Sequence, residues 1–288
     1  MCSPKIAQVI AERFKREGKP EAAPDMSRRN FLKLGGLATA AGVVAGTGLL
    51  TPMRVRADSH MGGVVDLSHV FNVLPPTYDK TAVPSVQDVV TVQANGYYIQ
   101  KWTFDEHTGT HVDIPAHFIA DGETVDNYSA STLVSPAVVI DISARAEDDP
   151  ETMVTVEDIQ AWESANGDLP AGALVCMYSG WETRWSDVAA FRNEDAGGVM
   201  RFPAFSPEAA EFLVTQRDIH GIAVDTLSLD IGSSSSFDVH FTILSAGKYG
   251  IENVANLKEL IGKPAQVVVG VPRFEKGSGG PARVLALT

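Results

Sequence analysis

The chain has 288 residues, 44% of them hydrophobic, with two cysteines and a formal net charge of −13. This length is compatible with one domain that buries a substantial core. A strongly acidic chain is unlikely to bind nucleic acid or an anionic membrane, so the composition favours a small-molecule partner.

The first 57 residues differ from the rest of the chain. Arg28 and Arg29 precede an uncharged, Gly- and Ala-rich run over residues 34–53. Val55-Arg56-Ala57 follows and has the small final residue of a signal-peptidase cleavage site. These parts predict a twin-arginine signal peptide that directs export to the periplasm by the twin-arginine machinery and is then removed. The alternative is an uncleaved membrane anchor, although five glycines make the run weakly apolar.

Removal of residues 1–57 on export would leave one acidic domain over residues 58–288. Residues 1–57 hold ten Lys or Arg and four Asp or Glu, a net of +6, so the remainder carries −13 − 6 = −19. Cys176 would be the one cysteine left, which allows no internal disulfide, and we expect it to be a small buried hydrophobe.

The remaining pattern predicts strands mixed with helices. Predicted strands, in chain order, are residues 64–67, 86–94, 97–104, 134–142, 174–178, 219–225, 266–271 and 283–287. Asn95-Gly96 predicts a tight hairpin between the second and third strands. Thr155 caps a predicted helix over 156–165, Ser206 caps a second that begins at Pro207, and a third is predicted over 251–260. This alternation favours a single-domain α/β layered fold.

A cluster of metal-ligand residue types stands between the third and fourth predicted strands. His107, His111, Asp113 and His117 fall within eleven residues, and His240 and Glu252 follow far downstream. Gly109 and Pro115 exclude a continuous helix, so we expect a strand and turns that gather the side chains around one point. Imidazole and carboxylate ligands suit zinc, manganese or iron(II), and a site without thiolates usually leaves a position open for water or substrate. The cluster therefore predicts a catalytic metal centre.

This motif resembles the signature of the metal-dependent cyclase and kynurenine formamidase family. Other matching segments are Asp66-Leu-Ser-His69, residues 221–228, His240 with Glu252, and the carboxyl-terminal Gly-Pro-Ala-Arg-Val-Leu-Ala-Leu. The family hydrolyses amides, lactams and lactones, and residues 174–185 look most like its isatin hydrolase-type members, which use manganese. The resemblance implies a swivelling β/β/α fold with a mixed sheet, assembled as a homodimer or homotetramer.

The resemblance also implies roles for the clustered residues. We expect His107, His111 and Asp113 to hold the principal metal, Mn²⁺ or Zn²⁺, which lowers the pKa of a bound water to roughly 7 and so generates a hydroxide that attacks the substrate carbonyl. His117, His240 and Glu252 either bind a second ion, with Asp113 bridging, or transfer protons. His117 and Glu252 are the catalytic candidates, and either one or two ions per chain are compatible with the sequence.

Aromatic residues near the motifs are candidates for contact with a flat substrate. Phe71 and Trp181 are the two that we assign to substrate binding. His69 lies at the end of a predicted strand, where a structural role is favoured over a role in the site.

Together these features predict a hydrolase that opens a cyclic amide such as an isatin-like lactam. The alternatives are an aryl formamidase of the N-formylkynurenine type, a lactone hydrolase, or a non-enzymatic exported protein that binds a metal or a metal-bound ligand. A pure carrier has no use for His117 and Glu252 as proton-transfer groups, which favours an enzyme.

Overall fold

The computed structural model describes residues 63–288, so the predicted export segment 1–57 lies outside the described residues. Within them, Gln87–Lys101 form one compact unit, while residues 63–86 and 102–288 form the main body. None of the helices formed by residues 63–288 combines the length and hydropathy that a membrane span requires.

The strands and helices are named in chain order. The strands are β1 Val64–Asp66, β2 Ser85–Val90, β3 Ile99–Thr103, β4 His111–Asp113, β5 Val134–Asp141, β6 Met153–Val154, β7 Ala173–Tyr178, β8 Ala204–Phe205, β9 Ile219–Val224, β10 Tyr249–Glu252, β11 Gln266–Gly270, β12 Gly279–Pro281 and β13 Arg283–Leu287. The α-helices are α1 Val92–Asn95, α2 Ser143–Asp148, α3 Val156–Asn166, α4 Val188–Arg192, α5 Pro207–Gln216 and α6 Asp238–Ser245.

The main body is built on one mixed sheet. Its nine strands run in the order β1-β13-β11-β5-β7-β9-β10-β4-β12, and two-stranded sheets β2-β3 and β6-β8 complete the described part. The central strands β5, β7, β9 and β10 are parallel. The strands on either side of them are antiparallel. The predicted α/β fold with a mixed sheet is confirmed.

Both faces of the central sheet are buried. Along β7, Leu174 and Cys176 pack into one hydrophobic cluster, whereas Val175 and Met177 pack into another. The second cluster includes residues of α3, α5 and α6, which cover that face. Burial raises the pKa of the Cys176 thiol to about 12, so this side chain is the predicted small hydrophobe.

The two helix caps predicted from the sequence are present, because each depends only on residues close together in the chain. The Thr155 hydroxyl accepts a hydrogen bond from the Asp158 amide, and the Asp158 carboxylate accepts one from the Thr155 amide, which completes a capping box for α3. Ser206 accepts a hydrogen bond from the Ala209 amide at the start of α5. Both helices begin where the sequence predicts.

Two predicted elements are wrong. Strands β2 and β3 are joined by the short helix α1 instead of a two-residue turn, because Thr91 caps this helical turn and Gly96, at φ 79°, ends it. The predicted helix over 251–260 is replaced by β10 and a 3₁₀ turn at Leu257–Leu260. Asn253 and Asn256 adopt left-handed φ values that interrupt any helix, and β10 pairs with β4 and β9.

Candidate metal centre

Two neighbouring strands, two turns and one helix gather the predicted metal ligands. His111 and Asp113 alternate on β4 and therefore point to one face of the sheet. In the antiparallel pair of β4 and β10, Glu252 lies directly opposite His111 and shares that face. The left-handed turn at Gly109, with φ 69°, returns His107 to the same point.

The last two histidines reach this face from other elements. His117 ends a 3₁₀ turn that begins at Pro115, so the predicted strand and turns of the motif are present. His240 lies on α6, a helix that the sequence analysis did not predict. The six predicted ligands therefore meet in the main body, although they come from two strands, two turns and one helix.

Asp113 lies at the centre of the cluster and is fully buried. Its Oδ1 is 2.6 Å from Nδ1 of His107 and 3.3 Å from Nε2 of His111. Nε2 of His240 is 3.4 Å from the other oxygen, Oδ2, and 3.1 Å from Oε1 of Glu252. These distances place imidazoles on both sides of one carboxylate.

The ligand atoms fall into two groups that share Asp113. One group is His107, Asp113 and His117, and the other is His111, Asp113 and Glu252. The expected partition put His107 and His111 on the same ion, whereas the geometry pairs His107 with His117, whose rings stack at 3.6 Å between centroids. An Asp113 shared by both groups is compatible with either one or two ions.

The residues present fit a divalent cation. Asp113 Oδ2 is buried and has no hydrogen-bond partner among the described residues, so a lone pair of the carboxylate is left unused. The surrounding donors are imidazole nitrogens and carboxylate oxygens, which suit Zn²⁺ or Mn²⁺.

The ionisable groups of the site lie close enough to shift one another's pKa values. Burial opposes ionisation of His111, but the Asp113 and Glu252 carboxylates outweigh it and raise the pKa of His111 to about 10. Burial would raise the pKa of Asp113 and of Glu252, but contacts with His111 and His240 hold both below their usual values. Two buried carboxylates therefore call for positive charge between them, which a divalent cation supplies.

His117 differs from His111 and His240, whose pKa values are raised by the neighbouring carboxylates. Burial lowers the pKa of His117 to about 4, and the attraction of Asp113 only partly offsets it. The imidazole is therefore neutral at pH 7, the form that binds a metal or accepts a proton.

Two of the imidazoles are oriented by hydrogen bonds at Nδ1, the ring nitrogen that faces away from the cluster. The Nδ1 of His111 lies 2.8 Å from the Gly109 carbonyl and donates to it, which leaves Nε2 for the cluster. The Nδ1 of His240 lies 2.6 Å from Asp230, which also accepts the backbone amides of Val239 and His240. The sequence analysis missed Asp230, because no spacing rule links it to His240 before the start of α6 is known.

The cluster opens into a cavity of about 350 Å³. Its aromatic wall consists of Tyr78, Phe118 and Phe237. Phe118 stacks on His240 with 4.6 Å between ring centroids and lies 5.6 Å from Phe237. Phe237 holds a left-handed φ of 55°, an unfavourable conformation for a residue with a bulky side chain. This wall suits a flat aromatic ligand.

Neither aromatic residue assigned to substrate binding from the sequence lines this cavity. Phe71 lines a separate cavity of about 490 Å³, together with His69. Trp181 is 1% exposed, and its Nε1 donates to the Phe191 carbonyl at 2.7 Å because the ring is part of the core. His69 stacks on Trp185 at 4.0 Å, in keeping with the structural role that the sequence favoured. Tyr78, Phe118 and Phe237 replace Phe71 and Trp181 as candidates.

Comparison with known proteins agrees with this architecture. The chain is 32% identical over 226 residues to the isatin hydrolase of Roseibium aggregatum, covering 74% of this chain and 85% of that protein. It is 28% identical over 155 residues to the kynurenine formamidase of Delftia acidovorans, covering 53% and 62%. The structure of isatin hydrolase A from Ralstonia solanacearum matches with a TM-score of 0.75 at 32% identity, over 84% of this chain and 99% of that one.

Two family models match the sequence. Residues 25–45 match the TAT (twin-arginine translocation) pathway signal sequence, which confirms the predicted export signal; such signals typically direct proteins to the periplasm. Residues 65–231 match the family described as putative cyclase. The chain therefore belongs to the putative cyclase family.

Proposed function

We propose that the protein is a metal-dependent hydrolase that opens a cyclic amide, with isatin-like lactams as its substrates. The observation that carries the proposal is the buried Asp113, which is shared by two groups of metal-ligand atoms at the floor of an aromatic-lined cavity. The identity to an isatin hydrolase over most of the chain supports cleavage of a carbon–nitrogen bond.

The ligands of the proposed centre are His107, His111, Asp113, His240 and Glu252, with His117 either a further ligand or a proton-transfer group. A bound Mn²⁺ or Zn²⁺, as one or two ions per chain, would polarise the substrate carbonyl and lower the pKa of a water molecule. The residues themselves fix the geometry, because Asp230 and the Gly109 carbonyl hold the rings of His240 and His111.

Proton transfer is assigned to His117 and Glu252. The His117 ring lines the cavity and stacks on His107, so its position does not depend on a strong ion pair. Glu252 Oε1 accepts the Leu229 amide at 3.1 Å, which keeps one carboxylate oxygen near His240. Either group can carry a proton between the attacking water and the leaving nitrogen.

The substrate ring is proposed to bind between Tyr78, Phe118 and Phe237. A cavity of about 350 Å³ matches a small bicyclic ligand better than a long peptide. An aryl formamide of the N-formylkynurenine type is the second candidate, because a kynurenine formamidase is also among the relatives. A lactone is the third, since the same attack on a carbonyl opens a cyclic ester.

The assembly and processing of the chain complete the proposal. We propose that residues 1–57 are removed on export, so that residues 58–288 form the mature enzyme. Val86, Val89 and Val92 lie on the β2–β3 segment and are 37–54% exposed. Since a two-stranded sheet is marginally stable in water and apolar side chains are exposed on both of its faces, we expect a second copy of the chain to cover part of it, in a homodimer or homotetramer.

The test is to offer isatin, N-formylkynurenine and an aromatic lactone to the protein loaded with Mn²⁺ or Zn²⁺. Ring opening of isatin at the highest kcat/KM supports the proposal, and a preference for N-formylkynurenine would make the protein a formamidase. Stoichiometric metal binding without turnover of any of the three would favour the alternative of an exported metal-binding protein.

A further inference from the structure

The loop of residues 74–83, named here the Tyr78 loop, separates two cavities of the main body. Thr77 lines both the cavity of the metal centre and a second cavity of about 560 Å³, which lies against α4. Only Pro75, Pro76 and Thr77 of its ten residues are buried. Hydrophobic packing alone therefore stabilises this loop weakly, and polar contacts must hold it in place.

Arg192, at the end of α4, donates two of the hydrogen bonds that join this loop to the rest of the main body. Its side chain is 7% exposed, and Nη1 donates to the backbone carbonyls of Thr77 and of Tyr78, the latter at 2.9 Å. Nε and Nη2 donate to the Glu194 carboxylate at 2.9 and 2.6 Å. The other oxygen of Glu194 accepts from Lys80 at 2.7 Å. The loop is thus joined to the end of α4 at two points, by Arg192 at the carbonyls of Thr77 and Tyr78 and by Glu194 at the ammonium of Lys80.

The backbone position fixed by Arg192 also fixes the Tyr78 ring. That ring lines the cavity of the metal centre, and its centroid lies 5.9 Å from that of Phe237. With 40% of the residue exposed, Tyr78 has few neighbours of its own to restrain it. Its place in the aromatic wall therefore depends on the carbonyl that Arg192 binds.

We infer that Arg192 is a positioning residue, which holds Tyr78 in the aromatic wall and so sets the affinity for a flat substrate. It touches neither the metal ligands nor the proposed reaction centre, so its effect falls on binding more than on the chemical step. The inference rests on the proposed function for its kinetic part, whereas the anchoring of the loop can be measured without any substrate.

The first experiment measures amide hydrogen exchange in residues 74–83 of Arg192→Met and of the unmodified protein. Loss of the arginine should accelerate exchange in this loop but not in β7, because the loop has no other charged anchor of equal burial. Arg217→Met is the control: Nε and Nη2 of Arg217 also donate to one carboxylate, that of Glu163, but Arg217 lies away from the loop. If Arg192→Met does not fold, Lys80→Met, which removes an exposed partner, should give a smaller acceleration in the same loop.

The second experiment is a double-mutant cycle with isatin as the substrate. Arg192→Met should raise KM about tenfold with little change in kcat, and Arg192→Lys should lie between, since one ammonium cannot reach both carbonyls and the carboxylate. In a Tyr78→Ala background, Arg192→Met should raise KM no further, because its effect passes through Tyr78.

The outcomes separate the two proposals. Unchanged exchange in residues 74–83 would overturn the inference whatever the substrate, and so would faster exchange with an unchanged KM. If the fold-changes in KM of Arg192→Met and Tyr78→Ala multiply in the double variant, Arg192 does not act through Tyr78, and its role is only structural. Absence of wild-type turnover of isatin and N-formylkynurenine, combined with the expected exchange difference, would refute the proposed function while leaving the anchoring supported.

Discussion

Glu252 on β10 lies directly opposite His111 on β4, with 3.3 Å between Oε2 and Nε2. These residues are far apart in the sequence and become neighbours only because two antiparallel strands pair in this register. A one-residue slip would turn Glu252 to the other face of the sheet. The register of β4 and β10 therefore builds the metal centre.

Asp113→Asn should abolish metal retention and activity together. The amide removes the charge that both groups of ligands share. The loss of metal affinity should therefore exceed the roughly 10- to 100-fold that is typical when a residue hydrogen-bonded to a ligand is changed. Bound metal by elemental analysis and turnover of isatin are the two measurements. Asp168→Asn, the same change at an exposed position, is the control. Full metal occupancy in Asp113→Asn would contradict the assignment.

Asp230→Asn should weaken metal binding by about 10- to 100-fold without unfolding the protein. Asn keeps an oxygen for the backbone amides at the start of α6, but it does not hold the His240 ring as a carboxylate does. A competition titration with a chromogenic chelator measures the change, and circular dichroism checks the fold. An unaltered affinity would show that His240 needs no such partner.

Phe118→Leu should raise KM for isatin, whereas Phe71→Leu should leave it unchanged. Phe118 lines the cavity of the metal centre, and Phe71 lines another. Loss of an aromatic contact is worth about 0.5–1.5 kcal/mol, which corresponds to a change of about 2- to 13-fold. Steady-state kinetics on both variants decide the matter. The reverse ranking would restore the substrate role expected of Phe71 from its sequence position.

Glu182 should make the protein less stable as the pH rises from about 5 to 8. Burial and the neighbouring Asp225 charge raise the pKa of Glu182 to about 7 in the folded state, so the folded protein keeps a proton that the unfolded chain releases at lower pH. Glu182→Gln removes this difference. Urea unfolding at both pH values should show a smaller loss of stability in the variant, and an identical loss would disprove the effect.

Local chemistry explains which parts of the fold could be predicted. Thr155 and Ser206 cap their helices through neighbours three residues away, so each start is visible in the sequence. The 251–260 segment has helix-compatible residues, but long-range pairing of β10 and the left-handed Asn253 override them. Helix α6 was missed because its first amides are satisfied by Asp230, which precedes it by several residues.

The candidate site also has one part that the sequence predicted and one part that it did not. The six candidate ligands could be predicted from their chemistry and spacing, since few other functions gather so many imidazoles and carboxylates. The aromatic wall was not, because Tyr78, Phe118 and Phe237 come from three separate segments whose proximity depends on tertiary structure. Trp181 looked equally suitable in the sequence, but its ring is enclosed by the core.

The most direct test of the metal-dependent hydrolase is isatin turnover by one preparation, purified without chelator and assayed before and after metal removal. We expect at least one divalent ion per chain, ring opening of isatin, loss of that activity on exhaustive chelation, and its recovery with Mn²⁺ or Zn²⁺. Turnover that persists after complete removal of the metal would contradict the account, as would a protein that retains no divalent ion under any of these conditions.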